Sequence, residues 1–449
     1  MSCPPYITCQ LHSYIDKPFK LTIATICIPF FLPSSKATSH QHGFGTLHHR
    51  ANLYIPLRRT LYPLRRDRRR TADWKTINEQ RGIQAHYLPA TNRSFGPGRV
   101  NHFFGSGGGS YSIDTGCNSS ATAIHLACAA LRDWKCDMAI VGGGSICVIP
   151  EYFSGFSFGG FISPTGGCKT FSEDADGYCR GEAVGTVILN RLEDAFSADD
   201  HILGVISATV RNSNAGEGSI TYPGQTAQVR LLTELLGKSG TDASEIGFVE
   251  IHGTGTIAGD LVEMNTVKRV LADSDANRVQ PVYVGAVKAN IGHGEAAAGI
   301  TSLIKALLML KHDRMPGQPG ELRLSQRFAG FAAAGIQNSQ GDGSLIPRSH
   351  VDGTRKIIVN SFDAAGGNTS ILLGNPRVHK VYPGLDPRTH QVVTISGRTT
   401  QSLKSNIDRL RRHLQQHPRR DLLILLIQQL SGAHTMVTGR HMLWSLWNS

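Results

Sequence analysis

One short segment combines a thiol with the small residues that a tight turn needs. Cys117 is preceded by Thr115 and Gly116 and followed by Asn118 and Ser119, and apolar residues at helical spacing begin just after it. The unpaired N–H groups and the dipole of a helix N-terminus lower the pKa of a thiol and donate to an oxyanion. Cys117 is therefore a candidate nucleophile for acyl transfer. The alternative is a buried structural thiol.

Two histidines lie in Gly-rich segments that follow apolar runs. His252 enters the turn 253–256, and His293 is flanked by Gly292 and Gly294. Loops at strand ends carry binding and catalytic side chains more often than packing residues. A cysteine with two such histidines forms a constellation suited to nucleophilic catalysis with hydrogen-bond donors or proton carriers.

These segments require a sheet with helices on its faces to bring them together. The apolar periodicity predicts helices at 118–133, 227–236, 296–311, 402–413 and 422–430. It predicts strands at 110–114, 138–141, 202–210, 247–251, 282–287, 357–362 and 370–373, the last two forming a hairpin-like pair. Strands that alternate with helices of this length indicate an α/β fold with a largely parallel or mixed sheet.

Charge is distributed unevenly along the 449 residues. The net charge is +9 over residues 1–70, −5 over 71–376 and +8 over 377–449. An enzyme of nucleic acids would carry basic charge on its working body, whereas here only the flanks are basic. A nucleic-acid or membrane-surface binder is therefore a weak alternative. No apolar run reaches the ~18 residues of a membrane helix.

The nine cysteines include no CxxC pair, which favours a reducing, cytoplasmic setting over a disulfide framework. Residues 1–72 are rich in Pro, His and Arg and show no strand or helix period. They are interpreted as a basic leader of low order, with a mitochondrial transit segment and non-native coding sequence as alternatives. The four histidines between 40 and 49 have no other ligands at metal-binding spacing, so no metal site is expected.

The Cys and His segments resemble the active-site blocks of the β-ketoacyl synthase (ketosynthase) domain of the thiolase superfamily. Cys117 matches the nucleophile of that family, and His252 and His293 match its two histidines. Lys288 and Glu295 match the Lys and Glu around the second histidine. The Gly-rich hairpin 360–369 also fits.

Residues 168–194 resemble the ketosynthases of fungal non-reducing polyketide synthases in particular, and the likeness spans about 73–376. Gly116 and Asn118 depart from the family, which usually has Ala and Ser there. Fewer residues than usual precede the Cys block. The resemblance therefore implies a leader at 1–72, a ketosynthase domain at 73–376 with part of its first half, and a linker at 377–449 toward an absent acyltransferase domain.

The resemblance implies a thiolase-like fold of five layers, αβαβα, with an incomplete first half. It implies decarboxylative Claisen condensation of a malonyl thioester with an acyl chain on Cys117, and backbone donors at Cys117 and Ala364 for the oxyanion. Substrates would arrive on the phosphopantetheine of an acyl carrier protein, with no cofactor bound directly, and the domain would be a homodimer. The alternative interpretation is an inactive, truncated or wrongly assembled polyketide synthase fragment.

Overall fold

The computed structural model describes residues 92–376 apart from 148–149, 199, 274–279, 320–324 and 340–345. It also describes two strands near the N-terminus and residues 401, 404–409 and 412. The chain divides into two units, and Met1–Phe31 with His49–Arg377 form the one that contains the features below. Residues 404–409, in the second unit, are helical within the helix predicted at 402–413, whereas the helix predicted at 422–430 lies outside the described residues.

A sheet of eleven strands runs through the described part of the chain, in the order β3-β2-β4-β5-β1-β6-β11-β10-β7-β8-β9. The strands are β1 (Leu21–Thr25), β2 (Ala51–Tyr54), β3 (Ser110–Tyr111), β4 (Met138–Ser145), β5 (Ala183–Arg191), β6 (Val205–Ser213), β7 (Ile246–Glu250), β8 (Val282–Gly285), β9 (Ile336–Asn338), β10 (Lys356–Phe362) and β11 (Gly367–Gly374). The helices are α1 (Phe95–Phe104), α2 (Ser119–Arg132), α3 (Pro150–Phe158), α4 (Leu192–Ser197), α5 (Gln225–Ser239), α6 (Ile257–Val267), α7 (Lys288–Ile291) and α8 (Ala298–His312).

The sheet contains the same five-strand unit twice. In the first half the order is β3-β2-β4-β5-β1, and in the second half it is β8-β7-β10-β11-β6. Each unit has two parallel pairings followed by two antiparallel pairings. The antiparallel pairing of β1 with β6 joins the two units. The two halves are therefore topological copies related by an approximate twofold axis.

Helices α2 and α8 lie at the centre, where each contacts the other and strands of both halves. Ile124, Leu131, Ile300 and Leu303 on these helices are fully buried in one core. A Cβ on Gly299 would lie 2.8 Å from the Cβ of Ala121, so this close approach requires glycine. A second core forms where α5 and α6 cover the other face of the second half. The strands of the second half therefore have helices on both faces.

The helices predicted at 118–133, 227–236 and 296–311 and the hairpin of β10 and β11 are confirmed, with ends shifted by up to three residues. The strand predicted at 138–141 instead continues through three glycines to Ser145, because the glycine backbone packs against the 3₁₀ turn before α8. Two short strands, β1 and β2, lie within residues 1–72, where the sequence shows no strand period. Each of these short strands pairs with a neighbouring strand on both of its edges. Their extended conformation is therefore stabilised by the neighbouring strands rather than encoded in their own apolar periodicity.

Candidate active site

Cys117 lies in a 3₁₀ turn, Gly116–Asn118, between β3 and α2. The turn is closed by the hydroxyl of Ser119, which donates to the Gly116 carbonyl at 2.6 Å and accepts from the Thr115 N–H at 2.9 Å. Gly116 has a left-handed φ of 59°, which glycine adopts without strain. Cys117 is half-buried, and its Sγ donates to Oε2 of Glu295 at 3.7 Å.

Burial separates Cys117 from other thiols of the described region. Burial raises the pKa of Cys128 to about 12 and that of Cys168 to about 11, so both remain protonated at neutral pH. Cys136 is fully buried in the core. The helix start and the partial exposure of Cys117 favour it as the reactive thiol.

His252 follows β7 and is fixed by two backbone contacts. Its N–H donates to Oε1 of Glu263 at 2.9 Å, and its ring Nδ1 accepts from the N–H of Phe362 at 3.2 Å. Because Nδ1 is the acceptor, the ring proton is on Nε2. Burial, followed by the charges of Lys288 and His293, holds the pKa of His252 well below its usual 6.5. His252 is therefore a neutral Nε2–H donor at neutral pH.

His293 has the same tautomer by a separate route. Its side chain is almost fully buried, and its Nδ1 accepts from the N–H of Glu295 at 3.1 Å. The rings of His252 and His293 lie 5.5 Å apart between centroids and are nearly perpendicular, at 86°. Two Nε2–H donors from the second half thus lie close together, next to the carboxylate that Cys117 contacts.

Two buried carboxylates at the start of α6 hold the His252 turn. Besides the N–H of His252, the Glu263 carboxylate accepts from the N–H of Gly253 at 3.2 Å and from Nδ2 of Asn360 at 2.9 Å. Asp260, three residues earlier, accepts from the N–H of Gly255 at 3.2 Å. Burial raises the pKa of both groups, that of Asp260 to about 7. Neither residue was assigned a role from the sequence, where their signal was two carboxylates three residues apart after the Gly-rich turn.

Lys288 begins α7 and is almost completely buried. Burial lowers the pKa of its ammonium, and the nearby charges of Glu250 and Glu263 oppose that change. Glu250 also forms a 2.6 Å ion pair with Lys305 and accepts from the N–H of Val287 at 2.6 Å. The charge of Lys288 acts on His252, and its supporting role stays a prediction.

Glu295 is surrounded by partners that its sequence position did not reveal. Its Oε1 accepts from the hydroxyl of Tyr178 at 3.1 Å and from Nε of Arg180 at 3.3 Å. Tyr178 also packs its ring 4.9 Å from that of His293. Both residues lie in the segment that carried the resemblance to fungal synthases, but nothing in that segment pointed to Glu295.

Ala364 lies in the loop between β10 and β11, which borders the Cys117 turn. The hydroxyl of Ser361 donates to the Cys117 carbonyl at 3.4 Å, and a Cβ on Gly116 would lie 3.6 Å from the Cβ of Asp363. The N–H groups of residues 363, 365, 366 and 367 all bond within the loop. Among the described residues, no hydrogen bond involves the Ala364 N–H, so this group is available to an oxyanion.

Within the described ranges, no group of three or more His, Cys, Asp or Glu side chains could hold a metal ion. The same ranges contain no helix that is both long and apolar enough to cross a membrane.

Family models match this arrangement in both halves. The β-ketoacyl synthase N-terminal domain matches residues 66–195, and the β-ketoacyl synthase C-terminal domain matches residues 203–320. The chain belongs to the β-ketoacyl synthase family. The first match contains Cys117, and the second contains His252, Lys288, His293 and Glu295. The resemblance to ketosynthases is confirmed.

Curated relatives of this ketosynthase are fungal polyketide synthases. Orsellinic acid synthase of Emericella nidulans is 51% identical over 353 residues, or 77% of this chain and 16% of the relative. Non-reducing polyketide synthase men2 of Menisporopsis theobromae is 46% identical over 358 residues, with the same coverage. The chain therefore spans about a sixth of the length of these relatives.

Solved ketosynthase domains share its thiolase-like fold. The oxazolomycin ketosynthase domain OzmH KS7 of Streptomyces albus JA3453 matches with a TM-score of 0.75 and 28% identity over 85% of this chain and 65% of that one. The ketosynthase from module 6 of the bacillaene synthase of Bacillus subtilis 168 matches with a TM-score of 0.71 and 26% identity over 86% and 63%. The predicted fold class is thus confirmed, although the chain spans less than two thirds of either neighbour.

Proposed function

We propose that this ketosynthase forms carbon–carbon bonds in polyketide synthesis by decarboxylative Claisen condensation. The observation that carries the proposal is the pair of Nε2–H donors. Both Nδ1 atoms are occupied by backbone N–H groups, so His252 and His293 face the site as donors beside Cys117. Two neutral donors suit an enolate oxygen, the charge that develops when a malonyl thioester loses carbon dioxide.

The first half-reaction loads the acyl chain. The sulfur of Cys117 attacks the carbonyl carbon of an acyl thioester, the carbon–sulfur bond to the carrier breaks, and the carrier thiol leaves. The N–H groups of Cys117 and Ala364 are the donors assigned to the oxyanion of this step. Lys288 and Glu295 are assigned to the charge and orientation around His293.

The second half-reaction breaks and makes carbon–carbon bonds. The malonyl thioester loses its carboxylate as carbon dioxide, and the electron pair is delocalised onto the thioester oxygen that His252 and His293 hold. The enolate carbon then attacks the acyl carbonyl on Cys117. A ketoacyl thioester leaves on the carrier as the carbon–sulfur bond to Cys117 breaks, and the released thiolate takes a proton from water to restore the thiol.

Further parts of the proposal rest on the relatives and on the sequence. Acyl carrier protein with phosphopantetheine delivers the substrates, two chains form a homodimer, and the reaction is cytoplasmic. Free thiols at all six cysteines of the described region agree with a reducing compartment. Residues 73–376 are the proposed ketosynthase domain, 1–72 its leader and 377–449 a linker toward an acyltransferase domain.

The test uses the 449-residue chain with a radiolabelled acyl-pantetheine. Wild type should acquire one label, and Cys117→Ala should acquire none because the attacking sulfur is absent. Cys128→Ala is the matched control, and it should still load because the buried Cys128 thiol is not the nucleophile. Label retained in Cys117→Ala would contradict the assignment. Absence of both loading and carbon dioxide release in wild type would favour the inactive-fragment interpretation.

A further inference from the structure

The two oxygens of the Glu295 carboxylate face different partners. Oε1 accepts from the Tyr178 hydroxyl at 3.1 Å and from Arg180 Nε at 3.3 Å. Oε2 accepts from Sγ of Cys117 at 3.7 Å, a longer contact than that of an N–H or O–H donor because sulfur is the larger atom. The carboxylate is thus held on one side and directed at the nucleophile on the other.

The two residues that hold Oε1 are themselves fixed. The Arg180 side chain is 7% exposed, and its guanidinium lies 4.5 Å from the ring centroid of Phe153 and within 5.6 Å of those of Tyr152 and Phe156. Burial, with the charge of Glu295 next, raises the pKa of Tyr178, so its hydroxyl stays protonated and donates. Tyr178 and Arg180 therefore hold the Glu295 carboxylate in an orientation that directs Oε2 at the Cys117 thiol.

The backbone of Glu295 serves a separate purpose. Its N–H donates to Nδ1 of His293, a bond that does not depend on the side chain. A change confined to the carboxylate therefore leaves the tautomer of His293 unchanged. This separation allows the role of the carboxylate to be tested without disturbing the histidine.

We propose that Glu295 carries the thiol proton of Cys117 during acyl loading, with Tyr178 and Arg180 as positioning residues. This proposal rests on the proposed function. As the bond from Sγ to the acyl carbon forms, the S–H bond breaks and its proton moves to Oε2. As the bond from the acyl carbon to the pantetheine sulfur breaks, the same proton moves from Oε2 to that sulfur. No proton is gained or lost overall, and no other reactant is needed.

Other ionisable groups act on this pair and must be considered in a pH profile. On the Cys117 side they are Lys288 and Tyr178, whose titrations respond to the thiol charge. On the Glu295 side they are Arg180, His293 and Cys147. Burial raises the pKa of Cys147, which moves its charge transition further above neutral pH, and lowers that of Lys288, which moves its charge transition toward the range of the pH profile.

The decisive variant is Glu295→Gln in the 449-residue chain, because the amide keeps the shape but cannot take a proton. Single-turnover loading from acetyl-pantetheine is followed by mass spectrometry between pH 6 and 9. We expect loading at pH 6.5 to fall by roughly 10²-fold or more, the usual contribution of general acid–base catalysis. The deficit should shrink toward pH 9, where the thiol ionises without help. Tyr178→Phe should show the same trend with a loss of roughly threefold to tenfold, because the carboxylate is less well placed.

Controls separate this proposal from structural damage and from the proposed function. Glu182→Gln changes a carboxylate that accepts from the Cys147 N–H at 2.7 Å, and it should load like wild type at every pH. Glu295→Gln should lose more in loading than in carbon dioxide release from malonyl-pantetheine, since only loading moves the thiol proton. Loading by Glu295→Gln that equals or exceeds wild type at pH 6.5 would overturn the proton-carrier role alone. A wild type that neither loads nor decarboxylates would overturn the proposed function and this role with it.

Discussion

At the scale of single residues, the tautomers of the two histidines restrict what they can do. Phe362 and Glu295 donate backbone N–H groups to the two Nδ1 atoms, which leaves only Nε2–H facing the substrate. An Nε2–H can polarise an oxygen but cannot remove a proton. This is sufficient for decarboxylation, because the enolate forms by loss of carbon dioxide rather than by loss of a proton.

We therefore expect His252→Ala and His293→Ala to slow carbon dioxide release from malonyl-pantetheine by ~10²–10³ each, the usual cost of losing one preorganised oxyanion donor. Acyl loading should be partly retained, because Cys117 is unchanged. The measurement is release of labelled carbon dioxide alongside loading followed by mass spectrometry.

Glutamine at either position provides the matched control, since its amide N–H can replace Nε2–H. His293→Gln should recover part of the rate that His293→Ala loses. Alanine variants that release carbon dioxide at the parent rate would show that these two rings do not hold the enolate oxygen.

At the scale of elements, the turns before the two central helices are copies that differ in strain. Gly116 starts the 3₁₀ turn before α2 with φ 59°, and Glu295 starts the one before α8 with φ 46°. The left-handed region costs a residue with a Cβ about 1–2 kcal/mol relative to glycine. The second copy therefore maintains a strained backbone at the point where its carboxylate meets Cys117.

Glu295→Gly should remove that strain and raise the free energy of unfolding by about 1 kcal/mol relative to Glu295→Ala, which retains it. Both variants lack the carboxylate, so both should load slowly at pH 6.5. Urea unfolding followed by fluorescence gives the comparison. A glycine variant no more stable than the alanine variant would mean that this turn is not strained.

Elements that depend on neighbouring residues in the sequence were predicted from local patterns. Strand pairings and contacts between distant segments were not. Helix α2 and the β10–β11 hairpin were evident from apolar spacing and a Gly-rich turn. Strand β5 and the leader strands were missed, because their places depend on neighbours far along the chain. Likewise Cys117, His252 and His293 were found from their own turns, whereas the contact of Arg180 with Glu295 spans 115 residues.

At the scale of the whole molecule, β1 is the strand that joins the two halves. It pairs with β5 along its full length and with β6 at Leu21 and Thr22. Because β1 pairs with a strand of each half, we expect its loss to affect the unfolding of both halves together. The loading assay on the 449-residue chain decides between an active ketosynthase and the inactive-fragment interpretation.

Ile23→Pro should destabilise the chain by roughly 2–4 kcal/mol and lower Tm by ~5 °C or more, because proline removes an N–H and disrupts the ladder opposite Leu189. Ile23→Val, which keeps the backbone N–H, is the control. Equal melting of the two variants by calorimetry would contradict the placement of β1.

The repeated five-strand unit also has a historical consequence. In a dimer of identical half-domains, the two equivalent turns would carry the same side chains. A mutation in one turn would then also change the other. Joining two copies in one chain removes that restriction. The first turn could then specialise for attack, with a glycine and a thiol, while the second acquired a glutamate and a histidine. The division of labour in this site is thus a result of broken symmetry within one duplicated fold.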